Sequence, residues 1–233
     1  MIGTNTKIED IVKIDNNMID FFNKEKIDFC CNGYMTVGEV AKEKNIDANV
    51  LARKIQEAIN TANPNTEDIT NLDDFKNLDI KKMVDSLVID HHKRERDLLF
   101  EIDPLLNKIL SVHFEHHGED LMKLHSLFAD LKKELEEHFV KEEEITFPLM
   151  LENESPSQEV IKRVEELETD HEKAGEIIKE MIELTDWFNP PKDACKTYVH
   201  TFNLLEKLVK DVFVHIFKEN SIMFEKYRGN GGK

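Results

Sequence analysis

The sequence of this 233-residue chain predicts an all-α protein, with a small N-terminal helical domain before a C-terminal antiparallel four-helix bundle. Only 8 glycines and 6 prolines interrupt it, and long stretches are rich in Leu, Ile, Glu and Lys, a composition that favours helix. No segment alternates apolar and polar residues convincingly enough to predict a strand. Four helical patterns of roughly 30 residues, joined by short breaks, are typical of an up-down-up-down bundle.

The N-terminal domain is predicted over residues 1–62 as a set of short helices. Thr6 and Thr36 each stand three residues before a glutamate, which is the spacing of a capping box. The peptide Asp28–Gly33 contains Cys30-Cys31 and ends in Asn-Gly, so it predicts a turn. Residues 63–78 are rich in Asn, Asp and Thr and are predicted to be a linker.

The bundle is predicted over residues 79–228, followed by a disordered tail at 229–233. Asn-Pro and Ser-Pro sequences mark two of the breaks between its helices. Pro104 lies inside the first helical pattern, where it predicts a kink. The predicted helices cover approximately 79–112, 119–151, 157–187 and 193–227.

Charge and cysteine content exclude several classes of protein. The 31 Lys and Arg against 48 Asp and Glu give a formal net charge of −17, which opposes general binding to nucleic acid or to an anionic membrane. No run approaches the ~20 apolar residues of a membrane span, and the N-terminus lacks the apolar core of a signal peptide. Three cysteines, two of them adjacent, do not form a disulfide framework, so a cytoplasmic location is expected.

Two of the predicted bundle helices carry the pattern His-x-x-x-Glu at core positions. His138 and Glu142 continue an apolar stripe that advances by alternating steps of three and four residues, and His215 and Glu219 do the same in the last helix. Residues spaced i,i+4 share one helix face and lie about 6 Å apart along its axis. Because a buried carboxylate needs a partner charge, a proton or a metal, the repeated pattern predicts a metal site.

The other two bundle helices contribute histidines without glutamates. His171 lies on the apolar stripe of the third helix, and the first helix offers His91 and His92, between which periodicity does not choose. One histidine from each helix and two glutamates form a donor set of nitrogen and oxygen only. Such a set suits iron or manganese, with zinc or copper as alternatives.

Several other residues are assigned by their position. Glu134 and Asp170 are expected to be solvated or structural acids, with a role as partners that orient the ligand histidines as the alternative. Cys195 is interpreted as structural. Five histidines are placed outside the predicted site: His113, His116, His117, His125 and His200.

Three motifs resemble those of hemerythrin-like domains and, more closely, those of the repair of iron centres (RIC) family of di-iron proteins. The motifs are His138–Pro148, Glu168–Gly175 and His215–Asn220. That family also has a small N-terminal domain with a vicinal cysteine pair before a glycine, which Asp28–Gly33 matches. The resemblance covers nearly the whole chain, and the combination of both domains makes it specific.

The resemblance implies two non-haem iron ions with an oxo or hydroxo bridge. The family pattern His-His-x-x-x-Arg-x-x-Leu favours His92 over His91 as the ligand from the first helix, with His91 as the alternative. Asp170 stands where the family often has Glu. The implied ligands are His92, His138, Glu142, His171, His215 and Glu219.

The resemblance also implies a function and partners. The function is repair of iron–sulfur clusters damaged by nitrosative or oxidative stress, through iron donation, reduction of NO to N₂O, or both, and the latter would be an enzyme activity. The alternative is a hemerythrin-type protein that binds or senses O₂ or NO. The implied partners are NO or O₂ and damaged iron–sulfur proteins.

Cys30 and Cys31 are expected to be redox thiols, with buried small residues or metal ligands as alternatives. A homodimer is a further hypothesis.

Overall fold

The structure is a computed structural model that describes residues 2–61, 72–153 and 155–229. Within those residues all the regular secondary structure is helical and there is no strand. Lys7 and Thr36 form an isolated antiparallel bridge. The predicted all-α class is therefore confirmed. The chain divides into two compact units, the first made of Met1–Asp79 with Ile216–Glu225 and the second of Ile80–His215 with Lys226–Lys233.

The first unit contains short helices, as the sequence predicts. Thr36 caps its helix through a complete capping box with Glu39, whereas the capping box predicted at Thr6 is wrong. There the helix begins after Lys7, and the Thr6 hydroxyl instead accepts a hydrogen bond from the Gly3 backbone. The helices before the second unit are α1 (Ile8–Ile14), α2 (Met18–Lys24), α3 (Val37–Glu43), α4 (Ala48–Thr61) and α5 (Leu72–Asn77).

Helix α5 lies in the segment that the sequence assigns to a linker. Although its composition is polar, this helix contains two buried side chains, Leu72 at 0% and Phe75 at 3% exposure. Their burial in the first unit stabilises the helix. Lys76 of the same helix donates a hydrogen bond to the Lys13 carbonyl at the end of α1. Residues 63–71 of the predicted linker lie outside the described residues.

The second unit contains the long helices of the bundle. The first is continuous from residue 80 through Pro104 to residue 112, and the second begins at Phe114, five residues earlier than predicted. Its elements are α6 (Ile80–Ser86), π1 (Leu87–His92), α7 (Lys93–Val112), α8 (Phe114–Lys141), π2 (Glu142–Thr146), α9 (Phe147–Glu152) and α10 (Gln158–Thr185). The last helix is α11 (Lys196–Lys218), continued by π3 (Glu219–Met223) and α12 (Phe224–Gly229). The predicted tail beyond Gly229 lies outside the described residues.

The core of the bundle is made by the apolar stripes predicted from periodicity. Helix α8 packs between α7 and α10, and each fully buried leucine of its stripe contributes about 1.5–3 kcal/mol of hydrophobic stabilisation. The stripe consists of Leu121, Leu124, Phe128, Leu131 and Leu135, all at most 3% exposed. The same stripe leads directly to His138 and Glu142, which fixes these two polar residues inside the bundle.

Candidate metal centre

The structure brings all six predicted ligands together in the interior. Their side chains form two groups in which one ligand atom from each residue lies within 4.8 Å of the others. The first group contains His92 and His215, the second contains His138 and His171, and Glu142 and Glu219 belong to both. All six residues are buried, with exposures of 4% or less.

In three of the four bundle helices, a short π-helical segment lies at the site. Segment π1 ends at His92, π2 begins at Glu142 and π3 begins at Glu219. A π turn contains one more residue than an α turn, so it shifts the side chains that follow it around the helix axis, and such turns are frequent at functional sites. Segment π1 therefore shifts His92 relative to the start of its helix, whereas π2 and π3 shift the side chains that follow Glu142 and Glu219.

The first group is tightly arranged. Nε2 of His92 lies 3.2 Å from Nε2 of His215 and 3.2 Å from Oε2 of Glu142. The ring of Phe139 stacks on the ring of His92, with centroids 4.6 Å apart. Glu219 completes this group from the turn after His215 on the same helix.

The second group repeats that arrangement. Nε2 of His138 lies 3.0 Å from Nε2 of His171 and 3.2 Å from Oε2 of Glu142. One oxygen of Glu142 is therefore equally distant from a histidine of each group. A carboxylate in this position is suited to bridge two cations.

The donor atoms fit two metal ions. Two ligand atoms bound about 2.1 Å from one ion at roughly a right angle are about 3 Å apart, as the histidine nitrogens are in each group. Without a cation, two buried carboxylates and facing imidazole nitrogens would have to be neutralised by protons. Two nitrogens and two oxygens for each ion suit iron or manganese.

Glu143 orients the ligand His92 from outside the site. Its Oε1 lies 2.7 Å from His92 Nδ1 and 2.7 Å from Nη1 of Arg96. Although partial burial acts to raise it, the pKa of Glu143 is lowered by its hydrogen bonds to Arg96 and His92. An ionised carboxylate only accepts hydrogen bonds, so Nδ1 of His92 carries the proton and Nε2 presents its lone pair to the site.

Glu95 contacts His215 in the same way. Its carboxylate is fully buried and lies 3.1 Å from Nδ1 of His215. Burial raises the pKa of Glu95, while the neighbouring imidazole of His215 acts to lower it. The sequence-based prediction missed Glu95, although it follows His91 by four residues and precedes Leu98 by three, which are the spacings of one helix face. For Glu143, which stands among three consecutive glutamates, the sequence offers no such signal.

His91, the alternative ligand, belongs to a neighbouring cluster. Its Nδ1 lies 3.1 Å from Oδ2 of Asp211, and Arg94 donates to Oδ1 of the same carboxylate at 2.7 Å. Burial acts to raise the pKa of Asp211, but hydrogen bonding to His91 and the charge of Arg94 outweigh it and lower the pKa. His91 is as buried as His92 yet lies outside both groups that contain the other five predicted ligands.

The predicted acidic partners of His138 and His171 behave differently. Asp170 Oδ2 comes no closer than 4.0 Å to His138 Nδ1, while Lys141 and Lys173 contact the Asp170 carboxylate at 2.6 and 3.0 Å. The His138 imidazole and these two ammonium groups hold the pKa of Asp170 well below its usual range. Glu134 is part exposed and pairs with Lys133.

The vicinal cysteines lie in a turn of the first unit. Their Sγ atoms are 3.7 Å apart, and Asp28 accepts hydrogen bonds from the backbone of Cys31 and Asn32. Burial raises the pKa of the Cys30 thiol well above its ordinary value, and the adjoining Cys31 thiol adds to this effect. Asn220, next to Glu219, donates to the Cys30 carbonyl at 3.2 Å.

Cys195, His113 and His117 form a separate arrangement in the second unit. Cys195 is exposed, and its Sγ lies 3.2 Å from Nε2 of His113. His117 contacts Asp193 at 3.0 Å, and the rings of both histidines meet the edge of Tyr198. The interaction with His113, together with backbone N–H groups at the start of α11, lowers the pKa of Cys195 to about 7.

Comparison with known proteins identifies the family. Residues 83–227 match the model of the hemerythrin HHE cation binding domain, which is more than half of the chain. The chain belongs to the hemerythrin HHE family. Residues 4–59 also match a domain of unknown function called ScdA_N (DUF542). The predicted combination of a hemerythrin-like bundle and a family-specific N-terminal domain is thus confirmed.

Named relatives are similar to the chain over most of its length. The chain is 28% identical over 232 residues to the iron–sulfur cluster repair protein ScdA of Staphylococcus haemolyticus, covering 97% of this chain and 100% of that protein. A second ScdA, from Staphylococcus epidermidis, is also 28% identical over 230 residues, with 97% and 99% coverage. The iron–sulfur cluster repair protein YtfE of Escherichia coli O81 is 27% identical over 209 residues, which are 88% of each chain. Among the described residues, no helix is both long and apolar enough to cross a membrane.

Proposed function

We propose that this protein is a di-iron protein that repairs iron–sulfur clusters damaged by nitrosative or oxidative stress. The observation that carries the proposal is the pair of buried groups, each with two histidines, that share Glu142 and Glu219. The proposed ligands are those six residues: His92, His138, Glu142, His171, His215 and Glu219. The proposed cofactor is two non-haem iron ions with an oxo or hydroxo bridge.

The roles of the residues follow from their contacts. The four imidazoles would hold the ions through Nε2, and Glu142, equidistant from His92 and His138, would bridge them. Glu143 fixes the ring orientation and proton position of His92, and Glu95 does so for His215. A fully buried set of ligands also excludes bulk water from the site. Two iron ions with few ligands each would supply open positions for a small molecule and two electrons.

The repair function is supported by the named relatives. ScdA and YtfE are named iron–sulfur cluster repair proteins, and the similarity extends over 97% and 88% of this chain. Damaged iron–sulfur proteins are accordingly the proposed partners, with NO or O₂ as small ligands. A cytoplasmic location suits such partners.

Iron donation and NO reduction are two chemistries that the same centre can support. Donation needs an ion that can leave, whereas reduction of two NO to N₂O and water needs two electrons and two protons at a retained pair of ions. The alternative function is a hemerythrin-type protein that binds or senses O₂ or NO without turnover. Family membership favours this alternative, and the similarity to named repair proteins over both domains opposes it.

Two parallel assays separate these functions. The iron-loaded full-length protein is added anaerobically to a dehydratase whose [4Fe–4S] cluster has been damaged by NO, and recovery of the dehydratase activity is measured. We expect recovery with the wild type and none with the Glu142→Ala and Glu219→Ala double variant. In parallel, NO is added to the reduced protein and N₂O is measured. Stoichiometric NO binding with neither N₂O nor dehydratase recovery would support the binding protein instead.

The cysteine pair remains a prediction with a specific test. We propose Cys30 and Cys31 as redox thiols, because their sulfur atoms lie 3.7 Å apart in one turn. A Cys30→Ser and Cys31→Ser variant is expected to keep its iron and to lose repair activity. Full repair by that variant would contradict the redox role.

The proposed homodimer is tested by measuring the mass of the wild type in reductant. A monomer alone would contradict the homodimer.

A further inference from the structure

We propose that the two groups hold their metal ions unequally, and that the ion held by His138 and His171 is the labile one. This inference rests on the proposed function and specifies which position supplies iron. The composition of the ligands cannot cause the difference, because each group has two histidines and shares the same two glutamates. The difference lies in the contacts that hold the histidines.

Both histidines of the first group are oriented by carboxylates. Nδ1 of His92 lies 2.7 Å from Glu143, and Nδ1 of His215 lies 3.1 Å from Glu95. Such a contact fixes the tautomer and the ring orientation and makes the ligand nitrogen more basic. Losing one carboxylate partner of this kind typically reduces metal affinity about 10- to 100-fold.

The two carboxylates are themselves held in place. Arg96 donates to the same Glu143 oxygen that contacts His92, and the Arg96 guanidinium lies 4.9 Å from the centroid of the Phe139 ring. Phe139 in turn stacks on His92. Glu95 is 0% exposed, so its position is fixed by packing. The first group is therefore pre-organised to hold an ion.

His138 in the second group has no comparable support. Its buried Nδ1 has no hydrogen-bond partner among the described residues. Asp170 is in the right direction, but it remains 4.0 Å away and is held by Lys141 and Lys173. An imidazole without an acceptor for its Nδ1 proton is a weaker ligand and can rotate more easily.

The carboxylate nearest to Nδ1 of His138 is itself held by exposed side chains. The side chains of Lys141 and Lys173, which contact Asp170, are 45% and 54% exposed, and His138 is 4% exposed against 0% for His92. The Asp170 side chain thus connects the surroundings of His138 with exposed groups.

The test measures metal release from the full-length protein. The protein is loaded anaerobically with two equivalents of Fe(II) or of the spectroscopic probe Co(II), and a chromophoric chelator is added in excess. We expect release in two phases of one equivalent each. The His171→Ala variant is expected to lose the fast phase and to retain one slowly released equivalent.

Variants of the supporting carboxylates identify the slow phase. Replacing Glu95→Gln and Glu143→Gln together is expected to accelerate the slow phase about 10-fold or more and to leave the fast phase unchanged. Glu144→Gln, an exposed glutamate of the same π2 segment, is the matched control and should change neither phase. If circular dichroism shows that the double variant does not fold, the single variant Glu143→Gln is used instead. This side chain is 26% exposed, so its replacement is tolerated more easily, and it should also accelerate the slow phase.

The outcomes separate this inference from the proposed function. A single release phase of two equivalents in the wild type, or acceleration of only the fast phase by the Glu95 and Glu143 variants, would overturn the inference while leaving the di-iron centre intact. Failure of the wild type to bind any iron would overturn the proposed function itself.

Discussion

At the scale of single residues, chemical behaviour is set by neighbours that the sequence does not reveal. Cys30 and Cys195 are both free thiols, yet burial raises the pKa of Cys30 while His113 and backbone N–H groups lower that of Cys195. His91 and His92 are adjacent and equally buried, yet they belong to different clusters. Each contrast leads to a measurable difference.

The first prediction concerns thiol reactivity. Because only the thiolate is nucleophilic, Cys195 should react with iodoacetamide much faster than Cys30 at pH 7.5, with a midpoint near its pKa of about 7. Mass spectrometry of the labelled peptides measures this order. The variant His113→Ala should move the Cys195 midpoint to higher pH. Labelling of Cys30 before Cys195 in the native protein would contradict the prediction.

The second prediction separates the two adjacent histidines. His92→Ala should reduce the bound metal, because it removes a proposed ligand. His91→Ala should keep the metal but lower the free energy of unfolding by about 1–3 kcal/mol, since it leaves the buried Asp211 carboxylate with one partner fewer. Metal analysis and denaturant unfolding give both values. Loss of metal from the His91 variant alone would reverse the assignment.

At the scale of helices, periodicity predicted the bundle but not its irregular turns. The steps of three and four residues placed His138, Glu142 and His215 inside, and all three are buried. Periodicity left His91 and His92 unresolved because both lie in π1, where an extra residue breaks the 3.6-residue repeat and buries two consecutive side chains. Nothing in the sequence composition distinguishes such a turn.

Other features escaped prediction for different physical reasons. Helix α5 was hidden because Leu72 and Phe75 stand among polar residues that predict a linker. Glu143 could not be singled out because the chain has 48 acidic residues and three consecutive glutamates at this point, so only three-dimensional contacts show which one faces a histidine. The spacing of the histidines and glutamates identified the candidate ligands, but it did not identify the residues that orient them.

The third prediction tests the role of π2. Deleting the exposed Glu144 should convert this segment to regular α-helix, because a π turn contains one residue more than an α turn. The variant should keep its helical circular dichroism spectrum but bind less metal, since Phe147, whose ring stacks on that of His92, is rotated around the helix axis relative to Glu142. Glu144→Ala, which keeps the residue count, is the control and should bind normally. Unchanged metal content after the deletion would show that the π turn is dispensable.

At the scale of the whole molecule, the large negative charge and the site have separate roles. Most of the acidic residues that produce the net charge of −17 lie on solvated helix surfaces, whereas Glu142 and Glu219 are fully buried. Two buried carboxylates are costly without cations, so metal binding and folding should be coupled. The similarity to full-length repair proteins covers both family regions of the chain.

The fourth prediction follows from that coupling. A metal that binds only the folded state at 100 times its dissociation constant adds about 2.7 kcal/mol of stability, which corresponds to roughly 5–10 °C in Tm for a chain of this size. Removing metal with a chelator should therefore lower the Tm, and adding Fe(II) back anaerobically should restore it. A Tm that is independent of metal would argue that the buried glutamates are neutralised by protons.

The central claim is that two iron ions share one buried site made by six residues. It is tested most directly by iron analysis and Mössbauer spectroscopy of the protein loaded anaerobically with ⁵⁷Fe, for the wild type and for His138→Ala combined with His215→Ala. We expect about two iron ions per chain with the spectrum of a coupled pair in the wild type, and loss of iron in the double variant. A double variant that retains both iron ions would contradict it.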